Sequence, residues 1–280
     1  MIAPAARDLL ARGADALGPL RVDAFLEAAI LLAHVIGRPR SWLFAHPEAP
    51  VSRNMEARFD AMIEQRVNGT PIAYLTGTRE FWSLDLHITP DTLIPRPETE
   101  LLVERALALP LPAAARVADL GTGSGAVAAA LASERPAWHI IATDTSEGAL
   151  EVATGNFRRL GLDQVKPRLG SWFRPLAGER FDLIVSNPPY VAEGDRHLSE
   201  GDVAHEPRAA LSSGPDGLDA LRTLTGAARA HLTPGGWLLV EHGWNQGSAV
   251  RKLFAAARFT SAETHRDYAG QERVTGGQSA

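Results

Sequence analysis

Strands and helices alternate from Arg116 to the end of the chain, and this alternation constrains the fold more than any other feature. Short apolar runs of strand character are separated by longer segments with helical spacing. Such alternation is typical of a parallel sheet, because parallel strands are joined by crossover helices. We therefore predict an α/β fold with a doubly wound sheet and helices on both of its faces. The predicted strands are Arg116–Leu120, His139–Thr143, Val165–Leu169, Phe181–Ser186, Gly236–Glu241 and Thr260–Arg266, and the predicted helices are Ser124–Glu134, Glu147–Leu160, Asp216–Leu232 and Gln246–Ala257.

A glycine-rich turn follows the first of these strands and precedes a helix. Glycine lets the backbone turn tightly and lets a ligand approach the main chain, while the helix N-terminus adds free N–H donors. Asp144 ends the next strand, at roughly the 20-residue spacing where a carboxylate can accept both hydroxyls of an adenosine ribose. The turn and the carboxylate predict an adenosine cofactor, either NAD or S-adenosylmethionine, with a plain turn and a helix cap as alternatives. The turn consists of Gly121, Thr122, Gly123, Ser124 and Gly125.

The segment Asn187-Pro188-Pro189-Tyr190, directly after the strand that ends at Ser186, indicates the reaction. Its two prolines make the turn stiff. An amide nitrogen is a poor nucleophile, because its lone pair is delocalised into the carbonyl group. We expect the Asn187 side-chain oxygen and the Pro188 carbonyl to accept its two N–H groups and turn the lone pair toward a sulfonium methyl group. Tyr190 is expected to stack on the planar amide, so the segment predicts methyl transfer; a turn without chemistry is the alternative.

The first 73 residues have a different pattern, with apolar residues at helical spacing. Asp23 can cap the free N–H groups in the first turn of the helix that follows it, and a second helix is predicted to start near Ser52. Residues 81–88 instead alternate as a strand does. We predict a helical substrate-recognition domain at 1–73, a β-hairpin linker at 74–95 and an S-adenosylmethionine-dependent methyltransferase domain at 96–280. For the helical domain, a purely structural role is the alternative.

Composition excludes several other classes of function. The formal net charge is −5, which argues against nucleic acid as the main ligand, because phosphate contacts need Lys and Arg. The chain has no cysteine, so disulfides, zinc–thiolate sites and cysteine nucleophiles are excluded. We predict no metal site, since His205 and Glu206 lack the spacing of a metal-binding helix. Without an apolar run of about 20 residues we expect no membrane partner, and we predict a cytoplasmic location.

Three further segments of the chain, together with Asn187–Tyr190, resemble one family. The chain is similar to the release-factor glutamine N5-methyltransferases, the PrmC or HemK family, over nearly its whole length. The three segments are Ile94–Glu100, Gly170–Phe173 and His205–Leu211, the last followed by Gly214–Leu218.

The resemblance implies a Rossmann-like class I methyltransferase sheet that uses S-adenosylmethionine. The implied substrate is the glutamine of the Gly-Gly-Gln motif in peptide chain release factors, so the implied role is modulation of translation termination. Trp172 is expected to form a wall for the adenine, and Arg96 and Glu100 could pair as scaffold. The implied cofactor-binding residues are Gly121, Thr122, Gly123, Ser124, Gly125, Asp144, Trp172 and Asn187, and the implied substrate-binding residues are Asn187, Pro188, Pro189 and Tyr190, of which Asn187, Pro188 and Tyr190 are catalytic.

Four other functions stay open on the sequence. The closest is a glutamine methyltransferase acting on a ribosomal protein, followed by a DNA adenine N6-methyltransferase. A nicotinamide dehydrogenase would explain the glycine turn but leaves Asn187–Tyr190 without a role, and a non-enzymatic binding module explains neither. Near its C-terminal end the chain contains Gly276-Gly277-Gln278, the tripeptide that carries the target glutamine in release factors. We expect a loose tail there; its alternative is a tail that occupies the site.

Overall fold

The computed structural model describes residues 3–20 and 22–280 and divides the chain into two units, Met1–Gly77 and Thr78–Ala280. Met1, Ile2 and Arg21, which fall within the predicted helical domain, lie outside the described residues. None of the described helices is long and apolar enough to cross a membrane.

The first unit consists of helices packed around a buried apolar core. The predicted Asp23 cap is confirmed, because Asp23 accepts a hydrogen bond from the Leu26 N–H at 3.0 Å. Ser52, near which a helix was predicted to start, accepts one from the Met55 N–H at 3.3 Å. The buried Arg66 guanidinium donates to both carboxylate oxygens of Glu27, at 2.8 and 3.1 Å, and so joins two helices. The helices are α1 (Ala6–Leu17), α2 (Ala24–Ile36), α3 (Arg40–Ala45), α4 (Arg53–Val67) and α5 (Ile72–Thr76).

The second unit begins with a hairpin and continues as an α/β sheet with crossover helices, which confirms the predicted fold class. The hairpin pairs β1 (Thr78–Phe81) with β2 (Leu84–His87), while residues 74–76 of the predicted linker belong to α5. The further helices are α6 (Glu100–Leu107), α7 (Ala126–Glu134), α8 (Glu147–Arg159), α9 (Asp219–Ala228) and α10 (Gly247–Ala256). The strands of the main sheet are β3 (Arg116–Leu120), β4 (His139–Asp144), β5 (Val165–Leu169), β6 (Phe181–Ser186), β7 (Leu232–Glu241), β8 (Phe259–Arg266) and β9 (Glu272–Ser279).

The order of strands in the main sheet determines where a ligand can bind. The order is β5-β4-β3-β6-β7-β9-β8, and the chain changes direction across the sheet between β3 and β6. The strands from β5 to β7 run parallel, and β9 is antiparallel to both of its neighbours. Parallel sheets bind ligands outside the carboxyl ends of the strands at such a switch point. The turns that follow Leu120 and Ser186 therefore meet where the topology favours a site.

The last strand, like helix α6, is an element that the sequence did not predict. Gly276 and Gly277 lie buried within β9, between β7 and β8, and the Gln278 side chain donates to the Gly235 carbonyl at 2.9 Å. The expectation of a loose tail is therefore wrong, and this segment does not occupy the site. Because glycine is rare in strands, the sequence did not indicate a strand at this place. In the structure, a Cβ on Gly276 would lie 2.3 Å from Leu239 Cδ2. The strand β9 fits between β7 and β8 because Gly276 has no side chain.

Replacing Gly276 with alanine tests this packing. The added methyl group would be forced against Leu239, and overpacking of this kind costs about 1–3 kcal/mol of unfolding free energy. We expect Gly276→Ala to lower the midpoint of urea unfolding and the Tm. The matched control is Gly226→Ala in α9, where an added methyl group has open space and alanine is the better helix former. Equal midpoints for the two variants would contradict this account of β9.

Candidate cofactor and substrate site

A cavity of about 240 Å³ opens at the carboxyl ends of β3, β4 and β6. It brings together most of the residues that the sequence assigned to cofactor and substrate. Gly125, Pro188 and Tyr190 are not among the lining residues, which additionally include Thr99 and Asp119. The predicted residues that line the cavity are Gly121, Thr122, Gly123, Ser124, Asp144, Trp172, Asn187 and Pro189.

The glycine turn depends on a backbone conformation that favours glycine. Gly121, Gly123 and Gly125 have φ angles of 73°, 55° and 84°, in the left-handed region that side chains disfavour. The Thr143 carbonyl at the end of β4 accepts hydrogen bonds from the N–H groups of Gly121 and Thr122, each at 2.9 Å. The turn is therefore fixed against the neighbouring strand, with its main chain facing the cavity.

Asp144 joins the glycine turn to the strand that follows it. Its Oδ2 accepts a hydrogen bond from the Gly123 N–H, and its Oδ1 accepts one from the Ser146 N–H, both at 2.9 Å. Ser146, and not Asp144, caps α8 by accepting from the Ala149 N–H at 3.1 Å. Each carboxylate oxygen has a second lone pair, so Asp144 can still accept hydroxyl groups from a ligand in the cavity.

Asp119 is a buried carboxyl group in the cavity wall that the sequence interpretation overlooked. Its Oδ2 accepts hydrogen bonds from the Thr122 hydroxyl at 2.7 Å and from the Ala128 N–H at 3.2 Å. Burial raises the pKa of Asp119 to about 6, and the nearby negative charge of Asp144 acts in the same direction. The sequence did contain a signal for this role, since Asp119 is an acidic residue among the apolar residues that follow Arg116 in β3. Two carboxyl groups thus give the cavity a negative character that suits a cation.

Trp172 forms a flat wall of the cavity beside the glycine turn. Its φ angle of 47° is unusual for a residue other than glycine. A Cβ on Gly121 would lie 3.4 Å from Trp172 Cζ3, so the indole packs directly against the turn. Residues in such conformations persist only where their surroundings hold them, and they cluster at ligand sites. The arrangement provides an aromatic face against which a planar base can stack.

Residues far away in the sequence form hydrogen bonds with side chains of the Asn187-Pro188-Pro189-Tyr190 turn. The Asn187 side-chain amide donates from Nδ2 to Thr99 Oγ1 at 3.1 Å, which directs its oxygen away from Thr99. The Tyr190 hydroxyl donates to Glu241 Oε1 at 3.2 Å, and burial raises the pKa of Tyr190. Asn187 therefore presents an acceptor, whereas Tyr190 is anchored through its hydroxyl group.

The backbone of Tyr190 is fixed by a second contact. The Gln246 side-chain amide donates to the Tyr190 carbonyl at 2.9 Å, and the same side chain accepts from the Gly243 N–H at 2.8 Å. Gly217 lies so close to the backbone of Tyr190 that a Cβ on Gly217 would be 2.3 Å from the carbonyl oxygen of Tyr190. The stacking role predicted for Tyr190 stays a prediction.

One predicted contact is wrong. Arg96 does not pair with Glu100 but with the buried Glu206, which also accepts a hydrogen bond from the Ile94 N–H at 3.0 Å. Glu100 instead accepts from the Trp82 N–H at 2.9 Å. The helical spacing rule fails here because Arg96 has extended backbone angles and precedes the helix. Within residues 3–20 and 22–280, no cluster of His, Asp and Glu side chains is arranged to hold a metal ion.

Comparison with known proteins gives matches in both units. A model of the PrmC N-terminal domain matches residues 8–77, and a model of the methyltransferase small domain matches residues 97–215. Among solved structures, a 16S rRNA methyltransferase from Thermus thermophilus in complex with AdoMet and guanosine aligns with a TM-score of 0.53. It is 20% identical and covers 72% of this chain and 50% of that chain, so it supports the fold alone.

Relatives of higher identity define the family. A release factor glutamine methyltransferase from Xylella fastidiosa is 52% identical, over 90% of this chain and 92% of the relative. One from Pseudomonas aeruginosa is 51% identical, over 95% of this chain and 96% of the relative. Similarity of this extent includes the helical unit, the glycine turn and the Asn187 turn together. The chain belongs to the family of release factor glutamine methyltransferases.

Proposed function

We propose that this chain transfers a methyl group from S-adenosylmethionine to the side-chain amide nitrogen of the glutamine in the Gly-Gly-Gln motif of peptide chain release factors. The orientation of Asn187 carries the proposal, because its nitrogen is engaged by Thr99 at 3.1 Å and its oxygen is left to accept from a substrate amide. The relatives' shared name supports the choice of substrate. The proposal includes a cytoplasmic location, since translation termination takes place there.

The residues of the cavity fit S-adenosylmethionine, which supplies a methyl group on a positively charged sulfur. We assign the ribose hydroxyls to Asp144 and the adenine to Trp172. Gly121 and Gly123 of the glycine turn would hold the methionine part, because a ligand can approach the main chain there without meeting side chains. Asp119 and Asp144 both line the cavity, and their negative charge favours a cationic ligand.

The Asn187 turn orients the substrate amide. Asn187 Oδ1 and the Pro188 carbonyl accept the two N–H groups of the glutamine amide, which orients the amide so that the nitrogen lone pair, perpendicular to the amide plane, faces the methyl group. Pro189 and Tyr190 complete the wall for the amide, with the Tyr190 ring stacked on it. As the C–N bond forms, the bond between the sulfur and the methyl carbon breaks, and neutral S-adenosylhomocysteine remains. One N–H proton then passes from the cationic nitrogen to solvent, so the turn needs no strong base. Because the prolines fix the backbone, the acceptors are aimed before the substrate arrives.

We also propose that the helical domain at 1–73 recognises the release factor, with the hairpin at 74–95 as linker and 96–280 as the methyltransferase domain. Phe25 and Phe44 support this assignment. Their side chains are 51% and 55% exposed, and their rings stack with centroids 6.1 Å apart. An exposed aromatic pair next to the exposed Leu26 is typical of a protein-binding surface.

Transfer of a labelled methyl group tests the proposed substrate. The protein would be incubated with labelled S-adenosylmethionine and, separately, with a release factor, a ribosomal protein and DNA. We expect label on the release factor alone, and mass spectrometry of its peptides should assign the methyl group to the glutamine of Gly-Gly-Gln. A release factor whose target glutamine is replaced by alanine is the control and should remain unlabelled. Label on DNA or on the ribosomal protein alone would overturn the proposal.

Replacing Asn187 tests how the amide is oriented. Asn187→Ala removes an acceptor that acts on the reacting nitrogen, so we expect kcat to fall by about 10²- to 10³-fold. Affinity for S-adenosylmethionine, measured by calorimetry, should change little, because the glycine turn and Asp144 remain. Asn187→Asp keeps an acceptor at this position and should lose less activity. An alanine variant with the kcat of the unaltered enzyme would contradict the hydrogen-bond account.

Replacing the exposed aromatic pair tests the recognition domain. The double variant Phe25→Ser/Phe44→Ser removes two exposed apolar side chains, so we expect KM for a folded release factor to rise about tenfold. The kcat on a short peptide containing Gly-Gly-Gln should stay unchanged. Tyr268→Ser, at a 93% exposed aromatic residue of the second unit, is the matched control. If the double variant and the control have the same KM for the release factor, the surface is not the docking site.

A further inference from the structure

Two segments of the cavity wall have no role in the proposed reaction. One follows the hairpin and contributes Leu93 and Pro95, and the other lies beyond the Asn187 turn and contributes Pro207, Ala209 and Ala210. All these side chains are apolar, so none of them can form a hydrogen bond or an ion pair with a ligand. The two segments therefore offer a ligand apolar surface, and their effect on binding depends on how firmly they are held.

The prolines of these segments prevent regular secondary structure from holding them. Proline has no N–H group and a fixed φ angle, so it cannot take part in a strand ladder or in the interior of a helix. Pro95 and Pro97 flank Arg96, and in the second segment a proline follows Glu206 directly. Neither Pro95 nor Pro207 lies within a helix or a strand. Contacts from side chains must therefore fix the two segments.

The carboxylate of Glu206 connects the two segments. Its side chain has no exposed surface. Oε2 accepts a hydrogen bond from the Ile94 N–H at 3.0 Å, and Oε1 forms an ion pair with the Arg96 guanidinium. Pro95 thus stands between two residues that both bind Glu206, and Pro207 is the next residue after Glu206 in the chain. One carboxylate therefore fixes the prolines of both wall segments relative to each other.

Folding stability is a poor explanation for this buried ion pair. Taking two charges out of water costs about as much free energy as their attraction returns, and apolar residues of similar size often stabilise a fold equally well. Here the Glu206 side chain is fully buried, while that of Arg96 is 32% exposed. An ion pair combined with a backbone hydrogen bond does fix geometry, because each bond has a preferred length and direction. The contact is thus suited to setting a distance between two segments.

We propose that Glu206 is a positioning residue for cofactor binding, which holds Pro95 and Pro207 at the separation that encloses S-adenosylmethionine. The inference rests on the proposed function only in assigning the cavity to this methyl donor. Glu206 is not among the lining residues and acts through the two prolines. Because the walls are held in place before the ligand arrives, binding does not have to order them. Apolar walls also exclude water, which strengthens the attraction of Asp119 and Asp144 for a cationic ligand.

This role predicts the opposite kinetic pattern to that of Asn187. Loss of the Glu206 charge loosens the walls of the cavity, but the hydrogen bond from Asn187 to Thr99 remains. We therefore expect weaker binding and faster dissociation of S-adenosylmethionine and of the product S-adenosylhomocysteine. Once the cofactor is saturating, kcat should change little, because binding is lost equally in the ground state and in the transition state.

Glu206→Gln tests the proposal, because glutamine keeps the shape and an acceptor for the Ile94 N–H but loses the charge that binds Arg96. We expect the Kd of S-adenosylhomocysteine, measured by calorimetry without a release factor, to rise about tenfold. Its dissociation rate should rise by a similar factor in stopped-flow measurements of tryptophan fluorescence, since Trp172 lines the cavity. The KM for S-adenosylmethionine should follow the Kd, while kcat on the release factor stays within about twofold.

Asp267→Asn is the matched control. Asp267 is also a buried carboxylate that pairs with an arginine, Arg273 at 3.0 Å, and it accepts the N–H groups of Ala269 and Gln271 at 3.0 and 2.8 Å. No residue next to Asp267 or Arg273 in the chain lines the cavity. Loss of this ion pair should lower the Tm as loss of the Glu206 pair does, yet leave the Kd and the dissociation rate of S-adenosylhomocysteine unchanged.

Arg96→Gln provides a second test that leaves Glu206 and its contact with Ile94 in place, and it decides the matter alone if the Glu206→Gln variant does not fold. It should raise the Kd by a similar factor, and the double variant should bind no more weakly than Glu206→Gln, because both changes break one contact. Multiplicative effects would overturn the proposal. So would single variants with the Kd of the unaltered protein, or an equal loss of affinity in Asp267→Asn. If the unaltered protein binds S-adenosylhomocysteine but does not methylate a release factor, the proposed function alone is refuted.

Discussion

The hydrogen bond from the Ser186 hydroxyl to the Leu120 carbonyl, 2.6 Å long and buried, is the interaction on which the site depends. Leu120 immediately precedes the glycine turn, and Ser186 immediately precedes Asn187. The bond joins β3 and β6 at the place where the strand order reverses. It therefore sets the spacing between the part of the cavity that fits the methyl donor and the part that fits the acceptor amide. Methyl transfer needs the two reactants aligned, and a fixed spacing supplies that alignment before either binds.

Buried polar groups hold the remaining walls in the same way. The Asn156 side chain donates to the carbonyls of Ser124 and His87, at 2.9 and 3.0 Å, and accepts from the His87 N–H at 2.7 Å. The glycine turn is thus attached to the hairpin as well as to β4. A buried polar group left unpaired costs free energy, so a displaced turn would break several hydrogen bonds at once. This makes the shape of the cavity a property of the folded domain, present before a ligand binds.

Local patterns in the sequence were sufficient for most of the fold. The strands β3 and β6 have the predicted limits, because strands buried on both faces are apolar runs between turn residues. The limits of β5 were also predicted, although it is a partly buried edge strand. The glycine turn and the Asn-Pro-Pro-Tyr turn could be recognised for a related reason, since their backbone conformations restrict the residue types that fit. β9 was missed because its glycines are selected by close packing against Leu239 and Phe254, which no local pattern reveals. Arg96 was assigned the wrong partner for the same reason, as Glu206 is distant in sequence.

The residues that orient the catalytic turn could not have been identified from their spacing. Thr99, Glu241 and Gln246 lie on three separate segments and have no motif in common, yet each contacts the Asn187 turn or a residue that holds it. A side chain that acts on substrate is constrained by chemistry, so its type and neighbours carry a signal. A side chain that orients another is constrained only by where the fold places it, and a buried carboxylate looks like any glutamate in the sequence. Glu241 is distinguished only by its burial and by the hydrogen bond that it accepts from the Tyr190 hydroxyl, and both are features of the folded structure.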